Sequence, residues 1–257
     1  MSVALPILTY HSIDDSGSVI STPCRQFRDQ MQFLRDRQFN IVSLKQLVTL
    51  ILNKQPLPDK TVAITFDDGF ANLYSVAYPI LRSCGFTATI FLVPGYCGKN
   101  NQWPGQPEGI PTLDLLDWER IREMNDDGFD FGAHTMEHAD LSTLPTERAR
   151  EEIVSSKLII QEHLGKSVEF FAYPYGTKNK EIEAMVRMNF HGACGTNLGF
   201  TNMNSNIYEL PRIDMFYFST NMLFKLVGSY RFSCFIAVRN MLRLLKSGKS
   251  KLSRSFK

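Results

Sequence analysis

Short apolar runs with the character of β-strands alternate with amphipathic helical segments along most of the 257-residue chain. The runs at residues 60–66 and 87–93 are rich in β-branched residues, which is typical of strands buried on both faces. Helical segments between such runs end at glycines, as at Gly85 and Gly128. Strands that alternate with helices pair in parallel through right-handed crossovers. The alternation therefore predicts an α/β fold with mostly parallel strands.

The elements can be placed approximately from apolar spacing and turn residues. The predicted strands are residues 5–10, 40–43, 60–66, 87–93, 129–133, 168–172 and 193–196, the predicted helices are residues 22–38, 44–53, 73–84, 117–127, 145–164 and 180–188, and residues 94–112 form a long loop. Reactive side chains follow these strands directly: Asp67 with Asp68, His134 with His138, and Tyr175. Since α/β folds build their sites at the carboxyl ends of strands, we expect these side chains to share one rim.

Asp67 and Asp68 are adjacent carboxylates that follow a buried strand and precede Gly69. Neighbouring carboxylates repel each other and are costly to bury without a cation. An isolated Asp-Asp-Gly is more often a helix N-cap followed by a first-turn acid. The alternative is a metal site, in which one carboxylate binds the ion and its neighbour acts as the base on a bound water.

His134 and His138 lie four positions apart, a spacing that places both rings on one face of a helical turn. A pair of structural histidines is the competing interpretation, and Glu137 is misplaced for the H-E-x-x-H protease signature. Two histidines and one carboxylate are a common ligand set for catalytic zinc, and they also suit iron, cobalt or nickel. We therefore expect a divalent metal, with zinc as the first choice, at Asp68, His134 and His138.

Such a site indicates hydrolysis. A metal of this kind lowers the pKa of water and polarises a carbonyl, and Asp67 would take the proton of the water. A tetrahedral oxyanion would be stabilised by the metal and a backbone N–H, and a general acid would protonate the leaving amine.

Three motifs in order, Thr65-Phe-Asp-Asp-Gly69, His134-Thr-Met-Glu-His138 and Phe171-Ala-Tyr-Pro-Tyr-Gly176, resemble those of the polysaccharide deacetylases. These enzymes share the NodB homology domain and form carbohydrate esterase family 4. The resemblance covers residues 60–215 and is nearest to the poly-N-acetylglucosamine deacetylase branch. It implies a distorted (β/α)7-type barrel and metal-dependent removal of N-acetyl groups. By motif position, Asp67 is the base, Asp68, His134 and His138 are the ligands, and the backbone N–H of Tyr175 helps to bind the oxyanion.

The chain departs from the family pattern at two positions. Ala172 stands where the family's third motif has an arginine that orients the base, and Arg212 is our candidate to replace it. The late Leu-x-His that supplies the family's general acid is absent. We assign that role to His11 in Tyr10-His-Ser-Ile13, because the poly-N-acetylglucosamine branch takes its acid from this early motif. A histidine that caps a loop is the alternative, while His163 and His191 are interpreted as surface and structural residues.

The charge distribution divides the chain into two parts. Residues 221–257 contain nine basic and no acidic residues, so the overall charge of +2 leaves −7 on residues 1–220. We interpret residues 1–220 as the catalytic domain and residues 221–257 as a basic amphipathic tail. The tail could lie on an anionic membrane surface, or it could pack on the barrel as a terminal helix. No motif accompanies it that would indicate nucleic-acid binding.

The five cysteines are odd in number and widely spaced, which is typical of reduced thiols. The first ten residues show no secretory signal, so we expect a cytoplasmic location, with the tail as a candidate for peripheral contact at the inner membrane face. Trp103 and Tyr96 in the long loop are candidates for a sugar platform or for loop packing.

Three functions remain open from the sequence. The first is N-deacetylation of a glycan or a sugar-lipid intermediate, which the motifs favour. The second is an inactive metal-containing glycan-binding protein, and the third is an amidase on a small non-sugar amide.

Overall fold

The computed structural model describes residues 5–218 and 221–254, with all of their side chains except those of residues 217, 221 and 244–254. The strands are β1 (Ile7–Tyr10), β2 (Ser12–Ile13), β3 (Ser21–Thr22), β4 (Asn40–Ile41), β5 (Thr61–Phe66), β6 (Thr89–Leu92), β7 (Asp130–Ala133), β8 (Phe170–Ala172), β9 (Gly192–Leu198) and β10 (Leu210–Asp214). The helices are α1 (Cys24–Asp36), α2 (Leu44–Leu52), α3 (Tyr78–Cys84), α4 (Trp118–Asp126), α5 (Thr146–Leu164), α6 (Lys180–Asn189), α7 (Asn221–Phe224) and α8 (Tyr230–Arg254).

Seven parallel strands form a closed barrel. Its strand order is β1-β10-β9-β8-β7-β6-β5, and β5 pairs with β1 to close the ring. The short strand β4 pairs with the first two residues of β5, and β2 pairs with β3 as a separate ribbon. Helices flank the barrel, so the predicted (β/α)7-type barrel is confirmed.

Strand β10 closes this barrel and is absent from the strands predicted above. It pairs with β1 on one side and with β9 on the other. Its five residues include Pro211 and Arg212, which hide it from a search for apolar runs. Arg212 is buried although it is charged, because it lies inside the barrel at the level of the candidate site.

The barrel interior changes from apolar to polar along its axis. Alternate strand residues, including Ile7, Ala63 and Leu210, form an apolar cluster with the buried face of α2. Thr9 and Thr65 follow two positions after Ile7 and Ala63 on the same strands, nearer to the carboxyl ends. Their hydroxyl oxygens are 3.0 Å apart. Thus α2 and its neighbours fill one end of the barrel, and polar residues collect at the other end.

The C-terminal segment packs on the barrel through its first half. Phe224, Val227, Phe232 and Ile236 are buried and belong to the main core cluster. This agrees with the interpretation of the tail as a terminal helix that packs on the barrel. The last three tail residues, 255–257, lie outside the described part of the chain. Within the described residues, no helix has the length and hydropathy needed to cross a membrane.

Candidate active site

All seven site residues proposed from the sequence line one cavity of about 470 Å³ at the carboxyl ends of the strands. These residues are His11, Asp67, Asp68, His134, His138, Tyr175 and Arg212. They come from five segments of the chain that the closed barrel brings to a single rim. The position agrees with the sites of other parallel α/β barrels.

Asp67 follows β5 and is held by Arg212 of β10. The guanidinium donates two hydrogen bonds, Nη1 to Oδ1 and Nη2 to Oδ2, each of 2.7 Å, and both side chains are buried. Arg212 also donates from Nε to the carbonyl oxygen of Gly195 at 2.9 Å. Burial raises the pKa of Asp67, but the guanidinium outweighs this effect and holds the pKa well below its usual range. Asp67 is therefore ionised and fixed in orientation.

Asp68, His134 and His138 form a compact buried group with one candidate ligand atom from each side chain, all within 4.8 Å of one another. Oδ1 of Asp68 lies 3.6 Å from Nε2 of His134 and 3.3 Å from Nε2 of His138. This Oδ1 atom is buried, and no hydrogen bond satisfies it within the described residues. A buried carboxylate oxygen in this condition is costly unless a cation is present.

Hydrogen bonds on the far side of each ring set the tautomer of the two histidines. Nδ1 of His134 lies 2.8 Å from the carbonyl oxygen of Ala172, which can only accept, so Nδ1 carries the proton. Nδ1 of His138 lies 3.1 Å from the hydroxyl of Tyr175, which itself donates to the carbonyl oxygen of Gly105. Both Nε2 atoms thus present lone pairs toward Asp68, as metal ligands require.

The pKa of His134 agrees with a ligand role. Burial lowers this pKa to about 4, and the neighbouring carboxylate of Asp67 only partly compensates. The ring is therefore neutral near pH 7. Two imidazole nitrogens and a carboxylate oxygen fit a divalent transition metal, with zinc among the ions that suit the set.

The two histidines do not share a helical turn, so that part of the sequence prediction was wrong. His134 directly follows β7, and the chain then makes a tight irregular turn in which Thr135 and His138 have φ angles of 62° and 57°. The carboxylate of Glu152 accepts the backbone N–H groups of Met136 and Glu137 at 2.9 Å each. The turn, rather than a helix, brings the rings together.

His11 follows β1, the strand that pairs with β5. Its Nε2 lies 3.9 Å from Oδ2 of Asp67, and 24% of its side chain is exposed. The structure therefore places His11 beside the candidate base, open to the cavity. Its role as the general acid stays a prediction.

Tyr175 lies in the single turn Pro174–Gly176 that follows β8. Its φ angle of 58° is in the left-handed region, and that of Gly176 is 71°. A Cβ atom on Gly176 would lie 1.9 Å from Oγ1 of Thr196, so this position requires glycine. The turn presents Tyr175 to the cavity. The oxyanion role of its backbone N–H stays a prediction.

Two further residues line the cavity, of which the sequence suggested only Trp103, as a sugar platform or as loop packing. Trp103 is 4% exposed and stacks on His138 at 4.4 Å between ring centroids. Arg243 of α8 lines the cavity and donates from Nη1 to the carbonyl oxygen of Thr196 at 3.0 Å. Nothing in the local sequence distinguishes Arg243 from the other tail cations.

Comparison with known proteins places this site in a family. The family model described as polysaccharide deacetylase matches residues 54–192, more than half of the chain. The chain therefore belongs to the polysaccharide deacetylase family, whose members hydrolyse carbon–nitrogen bonds.

Individual relatives are more distant. The Bacillus subtilis protein YxkH is 28% identical over 210 residues, which cover 81% of this chain and 70% of YxkH. The poly-β-1,6-N-acetyl-D-glucosamine N-deacetylase of Staphylococcus aureus is 27% identical over an alignment of 203 positions, and the match covers 73% of this chain. The matched part spans 65% of that enzyme's length.

Solved structures share the fold. The Streptococcus pyogenes deacetylase PplD, solved in complex with acetate, is 25% identical with a TM-score of 0.73, covering 83% of this chain and 93% of that one. IcaB from Ammonifex degensii is 24% identical with a TM-score of 0.72, covering 88% of this chain and 95% of that one. The likeness to IcaB supports the barrel fold.

Proposed function

We propose that the chain is a metal-dependent N-deacetylase that removes acetyl groups from an N-acetylated amino-sugar glycan or glycolipid. The observation that carries the proposal is the buried group of Asp68, His134 and His138 beside an ionised Asp67 in one open cavity. Family membership supports the reaction, and the similarity to a poly-N-acetylglucosamine deacetylase supports the substrate class.

Asp68, His134 and His138 would hold the metal, and zinc is the ion we propose. The unsatisfied Oδ1 atom of Asp68 and the two inward-facing Nε2 atoms are the donors that fit it. When bound, the metal supplies a Lewis acid that makes water acidic near neutral pH and polarises the acetyl carbonyl.

Asp67 accepts the proton of the attacking water. Because Arg212 bonds both carboxylate oxygens, Asp67 cannot rotate away from the cavity, and its negative charge is retained. This fixed geometry is the positioning that a general base needs. Arg212 is therefore a positioning residue that acts through Asp67.

His11 protonates the leaving amine of the sugar, and Tyr175 donates its backbone N–H to the developing oxyanion. His11 is beside Asp67 and partly exposed, so it can exchange protons with solvent between turnovers. Tyr175 follows β8 in a turn with left-handed backbone angles, and Thr196 leaves no room for a side chain at the adjacent Gly176. A preorganised N–H donor of this kind lowers the barrier to tetrahedral intermediates.

The test is a panel of metal-loaded assays for released acetate. We expect turnover of β-1,6-linked N-acetylglucosamine oligosaccharides, loss of turnover with a chelator, and recovery on addition of zinc. Turnover of linear or cyclic amides without turnover of acetylated sugars would identify an amidase instead. Binding of the oligosaccharides without acetate release would identify a glycan-binding protein.

A further inference from the structure

The outer face of α8 is apolar and exposed. Phe232 and Ile236 point toward the barrel and are buried. On the opposite face of the helix, Tyr230, Val238 and Met241 are 76%, 53% and 55% exposed. These positions recur at the spacing of one helix face, and they form, with the neighbouring Cys234 and Leu242, a surface that we call the outer stripe.

Exposed apolar residues are concentrated in this part of the molecule. Of the eleven large hydrophobic side chains that are exposed within the described residues, six lie between residues 216 and 242. Scattered single residues of this kind are normal on protein surfaces, but a continuous stripe on one helix marks an interaction site. The stripe therefore requires a partner.

The charge of the segment favours one partner. Residues 221–257 contain nine basic residues and no acidic one, whereas residues 1–220 carry a net charge of −7. Arg231 is exposed beside the stripe on the same helix. A helix with an apolar outer face, an exposed arginine beside it and a basic sequence around it matches the boundary between acyl chains and anionic headgroups. The acidic body would be repelled by the same surface, so only the tail segment suits it.

We propose that α8 docks through its outer stripe on an anionic lipid surface. The same helix reaches the cavity from its other side, where Arg243 lines the rim and bonds Thr196. Docking would therefore place the cavity within about one helix diameter, on the order of 10 Å, of the headgroups. The binding step involves no catalysis, so its test is independent of the proposed activity.

The experiment is co-sedimentation of the full chain with vesicles of phosphatidylglycerol and phosphatidylcholine in equal parts, compared with vesicles of phosphatidylcholine alone. We expect strong partition onto the anionic vesicles, little onto the neutral ones, and weakening as salt is raised. Wild-type protein that stays in the supernatant with anionic vesicles at low salt would overturn the proposal.

A pair of double variants tests whether the outer stripe is the surface that binds lipid. Val238→Glu with Met241→Glu should lower the partition coefficient about tenfold or more, because two apolar contacts are lost. The control is Leu158→Glu with Met188→Glu, which adds the same charge at exposed apolar positions of α5 and α6. We expect the control to bind nearly as the wild type does. Equal losses of vesicle binding in both variants would contradict the proposal. It would also be contradicted if light scattering showed that the outer stripe forms a dimer interface and the protein did not bind vesicles.

Discussion

The proposed chemistry of the site depends on Asp67, whose pKa is subject to two opposing effects. Burial alone would raise its pKa and favour the neutral acid. Arg212 reverses this with two hydrogen bonds of 2.7 Å and keeps the carboxylate charged. Ala172 has no side chain that could orient Asp67, and Arg212 from a different strand does so instead.

Arg212→Lys should lower kcat/KM about 100-fold with metal content unchanged. A lysine retains the positive charge but cannot donate in parallel to both oxygens of Asp67, so the base would lose its orientation. Acetate release and bound metal would be measured together. Arg187→Lys, at an exposed ion pair on α6, is the matched control and should leave both unchanged. Wild-type activity in Arg212→Lys would mean that the paired hydrogen bonds from the guanidinium are not needed to position Asp67.

His11→Ala should lower kcat about 10²–10⁴-fold on N-acetylated sugars, which is the range for loss of a general acid. An aryl acetate ester needs no protonation of its leaving group, so its hydrolysis should fall much less. The comparison of the two substrates is the measurement. His191→Ala, which removes a ring that is 71% exposed, is the control. Equal loss on both substrates would refute the acid assignment.

At the scale of elements, the turn after β7 is the part of the site that depends most on support from elsewhere. Its backbone N–H groups at Met136 and Glu137 have no strand or helix partners and bond the carboxylate of Glu152 on α5. Glu152 is 1% exposed, so water cannot replace it. The longest helix of the barrel proper therefore holds the two histidines in place.

Glu152→Ala should destabilise the protein by about 2 kcal/mol, because two backbone N–H groups lose their buried carboxylate acceptor. Metal affinity should fall about tenfold as the histidines lose their fixed geometry. Thermal unfolding and metal titration would measure the two effects. Glu151→Ala, an exposed neighbour on the same helix, should change neither. An unaltered metal affinity in Glu152→Ala would show that the turn keeps its shape without the carboxylate.

The elements differ in how well sequence predicts them. Strands β5 and β6 match their predicted ranges within two residues, since every side chain in them is buried and apolar or small. Strand β10 was missed because its interior residue, Arg212, must be charged to serve the site. The turn at His134 was predicted as helical, because four-residue spacing alone cannot reveal positive φ angles.

At the scale of the whole molecule, closure of the barrel assembles the site. The seven predicted residues come from segments up to 201 positions apart, counted from His11 to Arg212, and they line one cavity. Their convergence at strand ends could be predicted from the alternation of strands and helices. The approach of Arg243 from α8 could not, since it depends on how the terminal helix packs on the barrel.

The proposed metal should stabilise the whole fold, because its candidate ligands follow two different strands, β5 and β7. At a free zinc concentration about 1,000 times the dissociation constant, linkage adds about 4 kcal/mol of stability. For a chain of this size, Tm should rise by about 10 °C. Thermal scans with and without zinc would test this. His134→Ala should abolish the increase and His191→Ala should retain it. An increase that persists in His134→Ala would place the metal elsewhere.

The most direct test of metal-dependent deacetylation is acetate release from N-acetylglucosamine oligosaccharides by zinc-loaded wild type and Asp67→Asn, with bound metal measured in the same samples. We predict that both proteins hold one zinc ion per chain, that the wild type releases acetate, and that Asp67→Asn is slower by about 10²–10⁴-fold. Acetate release by Asp67→Asn at the wild-type rate, or none from zinc-loaded wild type, would contradict the account.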